Sequence, residues 1–211
     1  MAAERNFETE QESFWAGAFG EEYAGRNRDE LLLAANVAFF ARALRAAGPL
    51  GSVVELGASV GMNLRALKVL YPAIQLTGVE INASAARDLA SAIGPGNVLN
   101  TTLFDRTIST RADLALIKGV LIHVAPEKLS VAYDQLYRLS RNYILIAEYY
   151  NPSPVAISYR GHEGKLFKRD FAGELMDRHP DLRLLDYGFL YRRDPVFPQD
   201  DVTWFLMAKG A

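Results

Sequence analysis

The stretch SVVELGASVGMN, residues 52–63, decides the fold. Residues 52–56 are apolar and rich in β-branched side chains, which predicts a short buried strand. Residues 57–61 combine glycine with small side chains, and a helix is predicted to follow over Asn63–Leu70. A strand, a glycine turn and a helix in this order form the first half of a βαβ unit.

Strand and helix patterns keep alternating along the rest of the chain. Strands are predicted over 74–80, 98–103, 113–117 and 143–147, and helices over 30–47, 83–92, 126–139 and 170–179. The last quarter holds two strand-like runs, 182–191 and 202–208, with no helix between them. The sequence therefore predicts an α/β fold: a mostly parallel seven-stranded sheet, helices on both faces and a C-terminal antiparallel hairpin.

Length and composition exclude several classes of protein. The chain has 211 residues, 50% of them hydrophobic, a formal net charge of -2 and no cysteine. This length fits one domain, with an N-terminal helical segment over 1–48 and an α/β core over 49–211. Without cysteine, a disulfide scaffold and a thiolate metal site are excluded, and His123, His162 and His179 are too scattered to suggest a metal centre.

The same composition bounds the partners and the compartment. A near-neutral chain lacks the basic excess of a nucleic-acid-binding protein. The longest apolar stretch, Leu31–Ala41, is too short to span a bilayer, and the acidic N-terminus does not resemble a signal peptide. We therefore expect a cytoplasmic protein without nucleic-acid or membrane partners.

A carboxylate at the end of the second strand points to a nucleoside-containing cofactor. Glu80 follows Gly57 by about twenty residues, the separation at which an acidic side chain can bind ribose hydroxyls at the sheet edge. A dinucleotide site favours G-x-G-x-x-G, but Ser59 and Met62 occupy the second and third glycine positions. A nucleotide-dependent oxidoreductase is therefore disfavoured, although it stays open.

The turn instead resembles the E-x-G-x-G-x-G motif of Rossmann-like class I S-adenosylmethionine-dependent methyltransferases. Glu55, Gly57 and Gly61 match that motif, and Ser59 departs from it. The resemblance implies S-adenosylmethionine as cofactor. No metal is expected, because the ends of the fourth and fifth strands offer Lys118 and residues 148–151 rather than a group of carboxylates. The resemblance also implies a set of cofactor-binding residues, in which Asp105 has loop capping as an alternative role: Trp15, Tyr23, Glu55, Gly57, Ala58, Ser59, Gly61, Asn63, Glu80, Ile81, Thr102, Leu103, Asp105 and Lys118.

Longer segments, in order along almost the whole chain, resemble the pseudaminic-acid-biosynthesis-associated methylases. These segments are Phe14–Asn27, Lys118–Val124, Ile144–Val155, Tyr159–Glu174 and Tyr191–Leu206. The resemblance implies methyl transfer to pseudaminic acid, to another nonulosonate, or to a precursor or nucleotide-linked form of one. Methylation of another small metabolite and a non-catalytic cofactor-binding role are the alternatives.

Two side chains near the predicted carboxyl edge are candidate catalytic bases. His123 lies just beyond the fourth strand and Glu148 follows the fifth, where either could accept a proton from the methyl acceptor. Their alternative roles are structural: packing or helix capping for His123, and a hydrogen bond to a neighbouring loop for Glu148.

The segment after the fifth strand supplies candidate substrate-binding residues. Residues 159–169 concentrate basic groups and two glycines in a predicted loop, where an arginine can clamp the carboxylate of an acidic sugar. A solvated basic loop and core-packed tyrosines are the alternatives. The N-terminal Phe14, Trp15 and Tyr23 are expected to form a lid or to pack on the sheet. The candidate substrate-binding residues are Tyr149, Tyr150, Tyr159, Arg160, His162 and Lys165.

Overall fold

A computed structural model describes residues 7–26, 29–159 and 161–210. The helices are α1 (Glu10–Ala16), α2 (Ala18–Arg26), α3 (Glu30–Ala43), α4 (Met62–Leu70), α5 (Ala83–Ile93), α6 (Leu129–Leu139) and α7 (Phe171–Arg178). The strands are β1 (Ser52–Leu56), β2 (Gln75–Val79), β3 (Val98–Leu99), β4 (Ala112–Lys118), β5 (Ser140–Glu148), β6 (Val155–Tyr159), β7 (His162–Lys168), β8 (Leu182–Phe189) and β9 (Thr203–Lys209). None of the described helices has the length and apolar character needed to cross a membrane.

Seven of these strands form one sheet in the order β3-β2-β1-β4-β5-β9-β8. The first five strands in this order, β3, β2, β1, β4 and β5, pair in parallel. Strand β9 pairs antiparallel with both β5 and β8. The predicted mostly parallel sheet with a C-terminal antiparallel hairpin is therefore confirmed. Since the parallel strands all end at one edge, the loops after β1, β2, β4 and β5 meet there.

Apolar side chains cover both faces of the sheet. On one face, α3, α4 and α5 pack on the strands through residues such as Phe40, Leu64 and Leu89. On the other face, α6 and α7 pack through residues such as Leu136 and Leu175. The central strands are buried on both sides, which explains their continuously apolar sequences.

The structure differs from the predicted elements in three places. The third strand is limited to Val98–Leu99, and the first long helix ends at Ala43, before the Gly48-Pro49 stop signal. The predicted basic loop after β5 is instead a separate two-stranded antiparallel sheet of β6 and β7. Gly161, with a φ of 83°, lies in the turn between them.

Candidate functional site

A cavity of about 720 Å³ opens at the carboxyl edge of the sheet. Its size is typical of a small-molecule site. One wall consists of the turn after β1 together with the residues that follow β2 and β3. A second part of the wall comes from α1, α2, the loop after β4, Tyr149, Tyr159 and the loop between β8 and β9.

Glycine is required in the turn after β1. Gly57 and Gly61 have φ angles of 75° and 84°, a region that favours glycine. A Cβ atom on Gly57 would lie 2.5 Å from Cγ2 of Val120, and one on Gly61 would lie 2.7 Å from Cδ1 of Leu89. Both glycines therefore let the turn pack closely against its neighbours.

Four backbone amides of this turn, those of residues 57, 58, 59 and 61, are already hydrogen-bonded within the protein. Gly57 and Ala58 donate to the carbonyl oxygen of Val79, and Gly61 donates to that of Ala58. Ser59, whose φ is also positive at 47°, donates its N–H to Oε2 of Glu80 at 2.7 Å. A pyrophosphate would need free amides here, so the geometry disfavours a dinucleotide cofactor.

Glu80 lies on the cavity wall in a fixed orientation. Its Oε1 accepts the N–H of Asn82 at 2.7 Å, while Oε2 accepts the N–H of Ser59. Burial raises the pKa of this carboxyl, and hydrogen bonds from the backbone of Asn82, Ser59 and Ile81 oppose that rise. Each carboxylate oxygen has a second lone pair, so Glu80 retains capacity for a ligand's hydroxyl groups.

Glu55 lies behind the wall rather than on it. It is fully buried, its Oε1 accepts from Nδ2 of Asn63 at 2.6 Å, and its Oε2 has no hydrogen-bond partner among the described residues. Burial raises the pKa of Glu55 to about 8. Of this predicted pair, Asn63 lines the cavity and Glu55 does not, and Glu55 orients the Asn63 amide from behind.

Lys118, at the end of β4, is partly buried and lines the cavity. Its Nζ donates to Oδ1 of Asn36 at 3.3 Å, and Asn36 also lies on the wall. Burial lowers the pKa of Lys118, whereas the nearby carboxylates of Glu55, Asp200 and Glu148 raise it.

The residues after β2 and β3 divide into wall residues and a loop cap. Ile81, Thr102 and Leu103 line the cavity as predicted. Asp105 does not: its Oδ1 accepts the N–H and hydroxyl of Thr107, and its Oδ2 accepts the hydroxyl of Thr101. Asp105 therefore has the loop-capping role that was the alternative to adenine binding.

Helix α1 lies beside the cavity and is attached to the residues after β2 and β3 by polar contacts. The buried Glu12 accepts the hydroxyl of Thr102 at 2.6 Å, and Nδ2 of Asn82 donates to three carbonyl oxygens at the C-terminus of α1, each at 3.2 Å. Trp15 and Tyr23 line the cavity from this side. Nε1 of Trp15 is buried and has no partner among the described residues.

His123 lies on the cavity wall with one nitrogen fixed. Its Nδ1 is 2.6 Å from the carbonyl oxygen of Lys165, an atom that can only accept, so Nδ1 carries the proton and Nε2 the lone pair. The ring packs against Trp15 and Tyr159, with centroids 4.6 and 4.9 Å away. Burial lowers the pKa of His123 to about 4, which leaves the imidazole neutral at physiological pH.

Glu148, the second candidate base, is not on the cavity wall. Its Oε1 accepts the N–H groups of Val120 and Leu121, both at 2.9 Å, so it caps the 3-10 turn Leu121–His123. Burial raises the pKa of Glu148 to about 7. The structure favours the structural role for Glu148, since a buried cap has no open path to a substrate.

The predicted substrate-binding residues separate in space. Tyr149 and Tyr159 line the cavity, but Tyr150 is 41% exposed and packs near Phe205 outside it. His162 lies against Phe14, and Nζ of the buried Lys165 forms an ion pair with Glu10 at 2.7 Å. Neither basic residue reaches the cavity, and Arg160 lies outside the described residues.

Several wall residues were not predicted from the sequence. They are Asn36 on α3, Asn82 after β2, and Arg192, Gln199 and Asp200 in the loop between β8 and β9. Asn82 comes two residues after the predicted β2 carboxylate and directly precedes a predicted helix, so its capping role was available from the pattern. Within the described part of the chain, no group of three or more His, Asp or Glu side chains is arranged to hold a metal ion.

Comparison with solved structures identifies the fold. The 1,6-didemethyltoxoflavin-N1-methyltransferase of Burkholderia thailandensis superposes with a TM-score of 0.68 at 16% identity, over 95% of this chain and 87% of that one. The magnesium protoporphyrin IX methyltransferase of Synechocystis, solved with bound S-adenosylmethionine, gives 0.64 at 13% identity, over 98% of this chain and 100% of that one. The sugar N-methyltransferase KedS8 of a Streptoalloteichus species gives 0.64 at 13% identity, over 93% and 94%.

The chain therefore has the Rossmann-like fold of class I S-adenosylmethionine-dependent methyltransferases. No protein-family profile and no curated protein sequence matches it. The resemblance to pseudaminic-acid-associated methylases consequently stays a prediction.

Proposed function

We propose that this chain is an S-adenosylmethionine-dependent methyltransferase that acts on a small polar acceptor. One observation carries the proposal: a single cavity joins the glycine turn and Glu80 on one wall to a neutral His123 on the other. The first wall has the chemistry that a nucleoside requires, and the second offers a proton acceptor beside it. Related folds with bound cofactor support the same proposal.

The wall residues fit the parts of the proposed cofactor. S-adenosylmethionine supplies an activated methyl group on a sulfonium sulfur. Glu80 would bind the ribose hydroxyls, because its carboxylate is held toward the cavity by two backbone amides. Ile81 and Leu103 offer apolar side chains for a base, and Asn63 and Lys118 offer donors for a carboxylate.

His123 is the proposed general base. A hydroxyl or amine that gains a methyl group must lose a proton, and Nε2 of the neutral imidazole can accept it. The carbonyl oxygen of Lys165 accepts a hydrogen bond from Nδ1–H, which fixes both the orientation of the ring and the tautomer with its lone pair on Nε2. Trp15 and Tyr23 would cover the bound ligand as a lid and exclude water from the cavity.

An acidic sugar of the nonulosonate class is the proposed acceptor. The sequence resemblance to pseudaminic-acid-associated methylases supports it, and a sugar N-methyltransferase shares the fold. Arg192 lines the cavity and its guanidinium, whose Nε is 3.4 Å from Oδ2 of Asp201, has further N–H groups for a carboxylate, whereas His162 and Lys165 lie outside the cavity. Another small polar metabolite is the second candidate, since neighbours of this fold act on several such acceptors.

Two measurements test the proposal. Calorimetry with S-adenosylhomocysteine and with NAD should show binding of the first alone. Transfer of radiolabelled methyl from S-adenosylmethionine to pseudaminic acid and N-acetylneuraminic acid should then give a product, and His123→Gln should lower kcat by about a hundredfold or more. If S-adenosylhomocysteine does not bind, the methyltransferase proposal is wrong; if it binds and neither sugar acid is methylated, only the acceptor class is wrong.

A further inference from the structure

The loop between β8 and β9 contributes a polar part of the cavity wall that the proposed cofactor contacts do not use. Arg192, Gln199 and Asp200 come from this loop and line the cavity. The loop is ordered by its own backbone, since Leu190 donates its N–H to the carbonyl oxygen of Val202 at 2.8 Å. A preorganised polar loop at the rim of a rigid sheet is a common location for substrate recognition.

Gln199 is the first observation that points to a ligand. Gln199 is one of the residues that line the cavity, it is only 8% exposed, and its buried Oε1 has no hydrogen-bond partner among the described residues. A buried amide oxygen without a partner is unfavourable in the empty protein. A ligand that brings an O–H or N–H group to this oxygen removes that penalty.

Asp200 and Tyr149 add a second hydrogen-bonding pair beside it. The hydroxyl of Tyr149, which follows β5, hydrogen-bonds to the carboxylate of Asp200, and this pairing together with burial raises the pKa of Tyr149. The amine of Lys118 lies within electrostatic range of the same carboxylate. Since the positive charge of Lys118 offsets the negative charge of Asp200, this part of the wall favours neutral polar groups over anions.

We propose that Gln199, Asp200 and Tyr149 form a subsite for hydroxyl groups of the methyl acceptor, an inference that rests on the proposed function. The only proton of the Tyr149 hydroxyl is donated to Asp200, so this group can offer a ligand only the lone pairs of its oxygen. Neighbouring sugar hydroxyls can therefore donate to Oε1 of Gln199, to the carboxylate of Asp200 and to the hydroxyl oxygen of Tyr149. A flat apolar heterocycle leaves Oε1 of Gln199 unpaired. The loop between β8 and β9 thus selects polyhydroxylated acceptors, because a site built to pair hydroxyls rejects analogues that lack them.

In the test, the 211-residue chain is first saturated with S-adenosylhomocysteine. It is then titrated separately with N-acetylneuraminic acid and with the neutral N-acetylmannosamine, and binding of each sugar is measured by saturation-transfer NMR. Gln199→Met keeps the side-chain length and removes the amide. We expect it to bind both sugars about five- to tenfold more weakly, with affinity for S-adenosylhomocysteine changed by less than about twofold. Val196→Ala is the matched control, because Val196 belongs to the same loop, is 60% exposed and is not a wall residue.

Unchanged sugar affinity in Gln199→Met would overturn the inference. So would a wild-type protein that binds S-adenosylhomocysteine but neither sugar, an outcome that leaves the cofactor proposal standing. If the protein fails to bind S-adenosylhomocysteine at all, the proposed function itself is wrong. Should Gln199→Met not fold, Asp200→Asn, which keeps the shape and removes the charge, is expected to show the same loss of sugar binding.

Discussion

At the scale of single residues, Glu148 shows how a buried carboxylate supports the site without touching a substrate. It accepts the backbone N–H groups of Val120 and Leu121 through one oxygen. Glu148→Ala leaves both donors buried and unpaired, so we expect the free energy of unfolding to fall by about 3 kcal/mol. Glu148→Gln keeps an acceptor oxygen and should stay close to wild type in methyl transfer and in urea denaturation at pH 5, where the folded wild-type carboxyl is largely protonated. A large loss of kcat in a stable Glu148→Gln protein would instead indicate a catalytic role.

The raised pKa of Glu148 gives this prediction a pH dependence. Its pKa is about 7 in the folded protein because of burial, against about 4.3 in an unfolded chain. The folded state holds the proton between these values, so the contribution of Glu148 to stability is present at low pH and is lost as the pH rises through about 7. The amide that replaces this carboxyl in Glu148→Gln does not titrate. Between pH 5 and pH 8.5, the free energy of unfolding of wild type should therefore fall relative to that of Glu148→Gln. If both proteins show the same dependence of unfolding free energy on pH, the raised pKa of Glu148 is wrong.

The glycine turn gives a second residue-scale prediction. A Cβ at position 57 would lie 2.5 Å from Cγ2 of Val120, and the residue that carries it would have to keep a φ of 75°. We expect Gly57→Ala to cost about 1–3 kcal/mol of stability and to weaken S-adenosylhomocysteine binding, because the turn must move. Gly96→Ala is the matched control, since a Cβ there has no neighbour within 4 Å. Equal effects of the two variants in calorimetry would contradict this account of the turn.

At the scale of elements, Asn82 connects helix α1 to helix α5. Its Oδ1 accepts the N–H groups of Ser84 and Ala85 and caps α5, while Nδ2 donates to the last carbonyls of α1. Asn82→Asp retains the cap but removes the donor and places a carboxylate beside carbonyl oxygens. We expect faster amide exchange in Glu10–Ala16, about tenfold weaker binding of S-adenosylhomocysteine and little change in α5.

The matched control for this change is Asn97→Asp. Nδ2 of Asn97 also donates to a carbonyl near the end of a helix, that of Ile93 in α5, but Asn97 does not line the cavity. Its replacement should leave α1 protected and the ligand bound normally. Loss of binding in both variants would mean that the effect spreads through α5 rather than through α1.

Elements defined by local patterns could be predicted from the sequence, whereas pairings between distant segments could not. The strand, glycine turn and helix over 52–70 have apolar and glycine signals within one short stretch, and the structure has them there. The β6–β7 hairpin lacks such a signal, because basic side chains and glycines interrupt its alternation. Its stability depends on pairing and on contacts with the 3-10 turn that holds His123, which no local pattern shows.

The direction of a side chain was the harder part of the site to predict. Tyr149 and Tyr150 are adjacent after β5, but successive side chains along an extended chain point in opposite directions, so only Tyr149 reaches the cavity. Lys165 is basic in the sequence but is neutralised by Glu10 from α1. Gln199 and Asp200 sit in a polar loop that looks like an ordinary connection until the sheet brings it beside β4 and β5.

At the scale of the whole molecule, three distant segments complete one cavity. The N-terminal helices, the turn after β1 and the loop between β8 and β9 all contribute wall residues. A ligand that contacts all three segments connects residues from both ends of the chain. Binding should therefore stabilise the protein globally against unfolding rather than protect one loop.

This coupling can be measured by thermal unfolding. At a concentration of S-adenosylhomocysteine one hundred times its Kd, mass action adds about 2.7 kcal/mol to the free energy of unfolding. In a chain of this size, that corresponds to a rise in Tm of about 5–10 °C. NAD should give no comparable rise, because the turn amides that a pyrophosphate would need are hydrogen-bonded to Val79, Ala58 and Glu80. Asn82→Asp, which is expected to detach α1, should reduce the rise in Tm that S-adenosylhomocysteine produces. If NAD raises the Tm of the wild-type protein equally, the cavity is a dinucleotide site.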